Sequence, residues 1–527
     1  MAASRRVLVL ALDAASPHLL RAWAQDETLP SIARLMATGL VGKSRSVEGL
    51  FEGATWPSFY TGLNPAGHGY HWLDQLRPGS YRLQEYRPAD FARSKALWET
   101  LSDAGRRVVV LDVPLAPRSP DLNGVQLVEW GCHDSIMGYQ SRPRSLGRNI
   151  LRRYGPHPAP QPCDAPARSA DEYRALADQL VSGAAAKARL TIELLAQTQW
   201  DFAIQVFSES HCGGHQFWHL HDPTHPGFDP ALTERCGDPL RRTYQAIDAA
   251  IGSILEQVPA ETTVVLLDLH GMAVPHSANL LLPEILTRLG AMQRPPLDAA
   301  GSGVLPGSRA GRALRSAYHR VPEAIRRPLY HVRDRLNQQL GRGSPINVDW
   351  TRSRCFDVPI GSALGAVRLN LKGREPAGML APGAEADRFC DRLGEQLREI
   401  TRPDNGQHWV RRVMRTAELH PGIHSPELPD LLIEWNPLQR VGSSVAGAGA
   451  GAVLRAQSPA IGFAEILNSS CRTGQHEPDG LFVVRGQGFG PGSLERTISI
   501  LDLAPTLARW LGCELPRMDG SPIAELL

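Results

Sequence analysis

The sequence predicts an α/β fold, a mostly parallel sheet held between helices, on three observations. Val7 to Leu12 (VLVLAL) is an unbroken apolar run that stops at Asp13 and is followed by a helical pattern from His18 to Met36. Trp200 to Phe207 (WDFAIQVF) is a second short run rich in strand formers. The amphipathic stretch Pro239 to Gln257 then feeds a third run, Thr262 to Leu267, which stops at Asp268. Apolar runs this short without alternation suit strands buried on both faces, and strand, helix and strand in turn are what a doubly wound sheet requires. Such sheets put their chemistry beyond the carboxyl ends of the strands.

Composition sets the outer bounds. At 527 residues, 42% hydrophobic and 21% charged, the chain can bury a large core, and length alone allows two or three domains. A net charge of +2 gives no reason to expect a nucleic-acid polymer or a membrane surface as partner. No apolar run approaches a membrane span, and the one near Val7 to Ala15 contains Asp13 and lacks a small-residue cleavage site. The expected location is therefore cytoplasmic, and the eight cysteines, scattered without CxxC pairs, fit reduced thiols.

Taken in order, Asp13 at the end of the first strand suits either a helix cap or a rigidly held metal ligand. Gly53 to Gly69 (GATWPSFYTGLNPAGHG) reads as a tight loop leading into a helix, with Thr55 and Pro57 at its mouth. There the threonine hydroxyl is either an N-cap or a nucleophile facing an anionic substrate, which a helix N-terminus favours. Trp130, His133 and Asp134 (in EWGCHD) end a further strand and are candidates to line the cleft. Residues 139–185 are rich in Pro and Arg and read as a surface excursion or lid. Residues 292–350 shift to Gly, Pro and Arg again and read as an inserted cap over the cleft.

The densest signal is FSESHCGGHQFWH, Phe207 to His219, with His211, His215 and His219 at four-residue intervals directly after a strand. Gly213 and Gly214 argue for a loop, or a loop entering a helix, but either geometry can offer two imidazoles to one metal ion. The bland alternative is a chance pair among 18 histidines.

The segments VLVLALD, LPSIARLMATG, TWPSFYTGLNPAGHG, FSESHCGGHQFW and LLDLHGM, followed by RLNLKGREPAG, PDLLIEW, GQHEPDGLFVVRG and ILDLAPTLARWLG, resemble in their order the type I phosphodiesterase/nucleotide pyrophosphatase branch of the alkaline phosphatase superfamily. The resemblance implies a single alkaline-phosphatase-like α/β domain over residues 1–527. It also implies two zinc-like ions flanking a threonine that is transiently phosphorylated. Carried over position by position, Asp13 matches the first aspartate and Thr55 the nucleophile, which also touches the second metal. His215 matches the histidine of D-x-x-x-H, His270 that of D-H-G-M and His476 the late histidine before P-D-G.

Two positions depart from the pattern: His211 stands where D-x-x-x-H has its aspartate, and Leu269 where S-D-H-G-M has its aspartate, with Asp268 one place earlier. The first change makes a three-imidazole site, His211, His215 and His476, which suits Zn2+ and can lower the pKa of bound water to about 7; other divalent transition metals are compatible. The second leaves Asp13, Thr55 and His270, with Asp268 either substituting for the missing aspartate or turned away as a buried, paired carboxylate. The function expected is metal-dependent hydrolysis of a small-molecule phosphate ester with Thr55 as nucleophile. The alternatives are a mononuclear three-histidine enzyme acting through metal-bound hydroxide or different chemistry, and a weakly active or inactive binding relative.

Overall fold

All six residues of Val7–Leu12, Phe202–Phe207 and Thr263–Asp268 are buried, which is why these strands read as continuous apolar runs. Val7–Leu12 lies between the other two, parallel to both, with Leu12 level with Phe207 on one side and Asp268 on the other. Val108–Leu111 and Gly124–Val128 extend the parallel set beyond Phe202–Phe207. The sheet has nine strands. Gln140–Arg142 closes one edge antiparallel, and Asp479–Arg485 pairs antiparallel to Thr263–Asp268 on the other side, followed outward by Leu40–Arg45 and Gly492–Ser499. A computed structural model describes residues 6–85, 94–159, 164, 168–225, 227–274, 278–294, 344–345, 348–436, 445–446, 453–467 and 472–527 of the chain.

Strand alternation divides the core between the two faces of this sheet. Val7, Val9 and Ala11 pack with Val265, Leu267 and Leu269 and with Phe51, Ala54, Trp56 and Phe59 of the Phe51–Thr61 helix. Leu8, Leu10 and Leu12 pack with Val264 and Leu266 on the opposite face, against Trp23 and the Ala170–Gln197 and Pro239–Leu255 helices. The architecture is the alkaline-phosphatase-like α/β class. A four-stranded antiparallel sheet (Cys355–Asp357, Leu364–Leu369, Leu431–Trp435, Val410–Arg415) shares the first core.

Three local expectations are corrected. The glycine pair does not break the histidine stretch: Glu209–His221 is one helix, buried from Glu209 to Leu220. Gly214 serves close packing, since a Cβ there would lie 2.8 Å from Met272 Cγ, whereas one on Gly213 would make ordinary contact with Thr243. Residues 51–61 are likewise a helix rather than a loop, with Pro57 inside it. Thr55 therefore sits a turn inside, past the free N–H groups of the helix N-terminus. Between 139 and 185 the chain forms the Gln140–Arg142 strand, the Arg144–Tyr154 helix and the first half of Ala170–Gln197, which buries Tyr173, Leu176, Ala177 and Leu180 in the core. Most of the cap expected at 292–350, residues 295–343 and 346–347, lies outside the described residues. Among the described residues no helix is long and apolar enough to cross a membrane, and the six cysteines are all buried and free.

Candidate metal centre

The Glu209–His221 helix starts directly beyond the Phe202–Phe207 strand, so its first turns stand at the carboxyl end of the sheet beside Asp13. His211 and His215, one turn apart, share a helix face. The His211 ring is 2.8 Å through Nδ1 from Asp13 Oδ2. His215 is 2.9 Å through Nδ1 from the carbonyl oxygen of Gly474, which can only accept. Asp13 Oδ1 accepts from Trp56 Nε1 at 2.8 Å, as a carboxylate does. Both Nδ1 atoms therefore carry the proton, and both Nε2 atoms present lone pairs.

Those two Nε2 atoms lie 3.0 Å apart. Two lone pairs facing at that separation repel, and a cation held between them converts the repulsion into coordination; imidazole nitrogens bind zinc at about 2.0–2.1 Å. Burial pushes His211, His215 and His476 well below the ordinary imidazole range, and the charge of Arg472 adds to this, so all three rings are neutral and able to ligate.

His476 comes from Gln475–Glu477, a short strand antiparallel to Gly271–Ala273 with Met272 opposite His476. Its ring stands edge-on to His211 (4.7 Å between centroids) and to His215 (4.8 Å), and its Nδ1 has no partner among the described residues. His133 is the residue that sequence reasoning assigned only to the cleft wall. It stacks on His211 at 4.0 Å, and one of its ring nitrogens lies within 4.8 Å of one from His211 and one from His215. Both of its nitrogens are engaged, however, Nδ1 with Cys212 Sγ at 3.2 Å and Nε2 with Arg472 Nη2 at 3.4 Å. By nitrogen geometry the third place falls to His133, while His476 stands beside the pair by its ring centroids and matches the family motif by position. The strand-end position of EWGCHD was the only signal for His133. His219, the third member of the four-residue series, packs instead against Tyr173 and His225.

The residues expected around a second ion are not brought together in the same way. Both oxygens of Asp13 already accept hydrogen bonds, and Leu269 is fully buried in the core beside the Phe51–Thr61 helix. Asp268 falls on the other face by strand alternation, where its Oδ1 accepts from the N–H of Ala15 at 3.2 Å. Burial pushes its carboxyl far up, and the negative charges of Glu477 and Asp13 reinforce this. Asp268 Oδ2 and both nitrogens of His270 are buried and unpartnered among the described residues, and His270 stacks on His476 at 4.9 Å. Thr55 is buried, its hydroxyl donating to the carbonyl of Phe51 and meeting the hydroxyl of Ser46. The donor set thus fits one ion at the histidines; it does not fit the second ion as the family binds it.

Residues 7–448 match the family model for type I phosphodiesterase / nucleotide pyrophosphatase. The chain belongs to that family, and membership places it among the phosphoester hydrolases. Its fold is similar to phosphonoacetate hydrolase from Sinorhizobium meliloti 1021, solved in complex with phosphonoacetate, at 14% identity and TM-score 0.51 over 95% of this chain and 94% of that one. The complex of the same enzyme with phosphonoformate gives a TM-score of 0.50 at 14% identity, with the same coverage of 95% and 94%. Murine ectonucleotide pyrophosphatase / phosphodiesterase 5 aligns over 98% of each chain at 13% identity with a TM-score of 0.45. No curated protein matches the chain in sequence.

Proposed function

We propose that this chain hydrolyses small-molecule phosphate esters at a single divalent metal ion, zinc or a related transition metal, held by His211, His215 and His476. The observation that carries the reading is the pair of inward lone pairs, 3.0 Å apart, whose orientation Asp13 and Gly474 enforce from behind. A bound ion supplies Lewis-acid polarisation of the phosphoryl group and lowers the pKa of water at the site. Asp13 keeps the His211 ring in the ligating tautomer, and Trp56 keeps Asp13 in place.

Thr55 is the nucleophile in this reading, at the position the family motif reserves for it, in the residue next to Trp56. Its proton rests on the Phe51 carbonyl, and Ser46 is the side chain beside it, so Ser46 is the first acceptor or donor available when the hydroxyl is released. A second reading lets water attack without Thr55. It is favoured by that back-bonded hydroxyl and by the apolar Leu269 where a second ion would need a carboxylate.

The test is Thr55→Ala with bis-p-nitrophenyl phosphate, paired with elemental analysis of the protein as purified. Loss of turnover by a factor of 10² or more at unchanged metal content supports Thr55 as nucleophile. Turnover retained with one ion per chain supports direct attack by water. A wild-type chain that binds no transition metal refutes both.

A further inference from the structure

Two neighbouring parallel strands end in carboxylates that turn back on the chain. Asp112 follows Val108–Leu111 and Glu129 follows Gly124–Val128, each one residue past its strand, with φ of 52° and 53°. A residue with a Cβ adopts that left-handed backbone at a cost, and such residues collect at functional sites. Both carboxylates are buried, and all four of their oxygens accept from the loop that follows Glu129. Asp112 holds the first part of that loop. Its oxygens accept from the N–H groups of Trp130 at 2.8 Å and Gly131 at 2.9 Å, and its carbonyl accepts from Cys132 Sγ at 3.2 Å. Glu129 holds the last part, accepting from Ser135 Oγ at 3.1 Å and from the N–H groups of Ile136 at 3.0 Å, Met137 at 2.8 Å and Gly138 at 2.5 Å.

His133 and Asp134 form the crest between these two anchored stretches. The His133 ring is buried and lies flat on His211, with centroids 4.0 Å apart. The His211 ring is therefore fixed in two directions: Asp13 holds its Nδ1 in the ring plane, and His133 covers one of its faces. Burial raises the Glu129 carboxyl even with four donors facing it, so this anchor is kept at a cost to the fold. What the cost secures is the place of the crest relative to the histidine helix. Side chains that orient a metal ligand from behind govern how tightly the ion is held.

We propose that Glu129 is a positioning residue for the metal centre: it anchors the crest that seats His133 on His211, and so sets how tightly the centre holds its ion. The proposal rests on the histidine centre holding a divalent ion. The competing account is that Glu129 only stabilises its own loop.

The experiment measures Zn2+ affinity by chelator competition, the absorption spectrum of the Co2+ form, and urea unfolding. It compares wild type, Glu129→Gln, His133→Ala, the double variant and Asp248→Asn. Asp248 is the control, a buried carboxylate that accepts the N–H groups of Ser31 at 3.1 Å and Ile32 at 2.8 Å at the start of the Pro30–Thr38 helix, which carries no residue of the centre. Glu129→Gln sets an amide donor among the donors of the loop and is expected to weaken Zn2+ binding about tenfold or more and to change the Co2+ spectrum. Asp248→Asn loses stability but keeps Zn2+ affinity within about twofold, as independent sites do. Because Glu129 acts through His133, Glu129→Gln adds less than about twofold in the His133→Ala background. Glu129→Asp, which keeps the charge and shortens its reach, takes the same place in the comparison if Glu129→Gln does not fold. Losses that add in full in the double variant, an equal loss in Asp248→Asn, or an unchanged affinity and Co2+ spectrum in Glu129→Gln overturn the proposal. A wild type that binds neither ion overturns the centre together with the proposal, whereas binding that Glu129→Gln leaves intact overturns the proposal alone.

Discussion

Lys187→Met is the perturbation that most directly tests how the fold holds the histidine centre. Lys187 lies in the Ala170–Gln197 helix with a side chain 0% exposed, and donates to the carbonyls of Gly131 (2.9 Å) and Val206 (3.0 Å). Its ammonium is 3.4 Å from Glu209 and 3.8 Å from Asp112, both carboxylates fully enclosed. Burial works against charge on all three, yet Lys187 and His157 hold Glu209 below the ordinary carboxylate range, whereas burial wins at Asp112 and pushes it up. The closer pair, Lys187 with Glu209, is therefore the ion pair. Methionine keeps the stem and removes the charge, leaving Glu209 buried with His157 as its remaining side-chain partner among the described residues; breaking a buried pair in this way costs about 3–5 kcal/mol. The loss falls on backbone two residues before His133 and on the strand end five residues before His211, so metal retention weakens with stability. Urea unfolding gives the first quantity, and competition against a chelator of known affinity the second. Lys187→Met combined with Glu209→Gln removes both charges and recovers part of the stability. A single variant within about 1 kcal/mol of wild type, with unchanged metal affinity, refutes the reasoning.

Three further outcomes are expected. Burial raises the Glu52 carboxyl from 4.5 to about 7 although it accepts the N–H groups of Ser362 and Ala363. The unfolded chain therefore releases this proton first as pH rises. Glu52 contributes a penalty that grows from about pH 4.5 to 7, reaching roughly 3 kcal/mol. Glutamine leaves one of the two backbone N–H groups facing an amide donor, a constant cost, but the melting temperature of Glu52→Gln relative to wild type should rise with pH across that interval, and an offset independent of pH would count against it. Asp13→Ala removes the acceptor that orients His211 and should weaken metal binding 10- to 100-fold in chelator competition; unchanged affinity would mean that Asp13 does not position the ring. Leu269→Asp restores a carboxylate on the Thr55 side of the sheet and should raise the metal count from one toward two ions per chain by elemental analysis, whereas a count fixed at one would show that the second place is closed for another reason.

What was legible in the sequence follows from which forces are local. The strands ending at Asp13, Phe207 and Asp268 read correctly because burial on both faces writes a continuous apolar run. His211 and His215 were legible as a pair because four-residue spacing serves a metal whether the backbone is loop or helix. The helix itself was hidden, since Gly213 and Gly214 are helix breakers in isolation, and the close approach of Met272 that calls for Gly214 is a tertiary contact. Thr55 was misplaced for a similar reason: Pro57 signals a helix start, but the helix here begins at Phe51 and buries every residue from Gly53 to Thr61. His133 and Arg472 reach the centre from strand ends and loops far apart in the chain, and nothing in a local pattern announces such contacts.

The two departures from the family motif become a single change when the hydrogen bonds are followed. An aspartate at position 211 could not donate to Asp13; the imidazole there can, and its Nδ1 takes Asp13 Oδ2 at 2.8 Å. With Trp56 holding the other oxygen, both oxygens of Asp13 are engaged, and in the proposed site it supports a ligand instead of serving as one. A second ion would then need the carboxylate at 269, and in its place Leu269 packs against the helix that carries Thr55. Asp268 cannot make up the loss by a small shift, because consecutive strand residues point to opposite faces and its Oδ1 is already bound to Ala15 on the far side. In the single-ion reading proposed above, His211 and Leu269 belong together: one adds an imidazole backed by an outer carboxylate, and the other removes a competing place that would draw that carboxylate away.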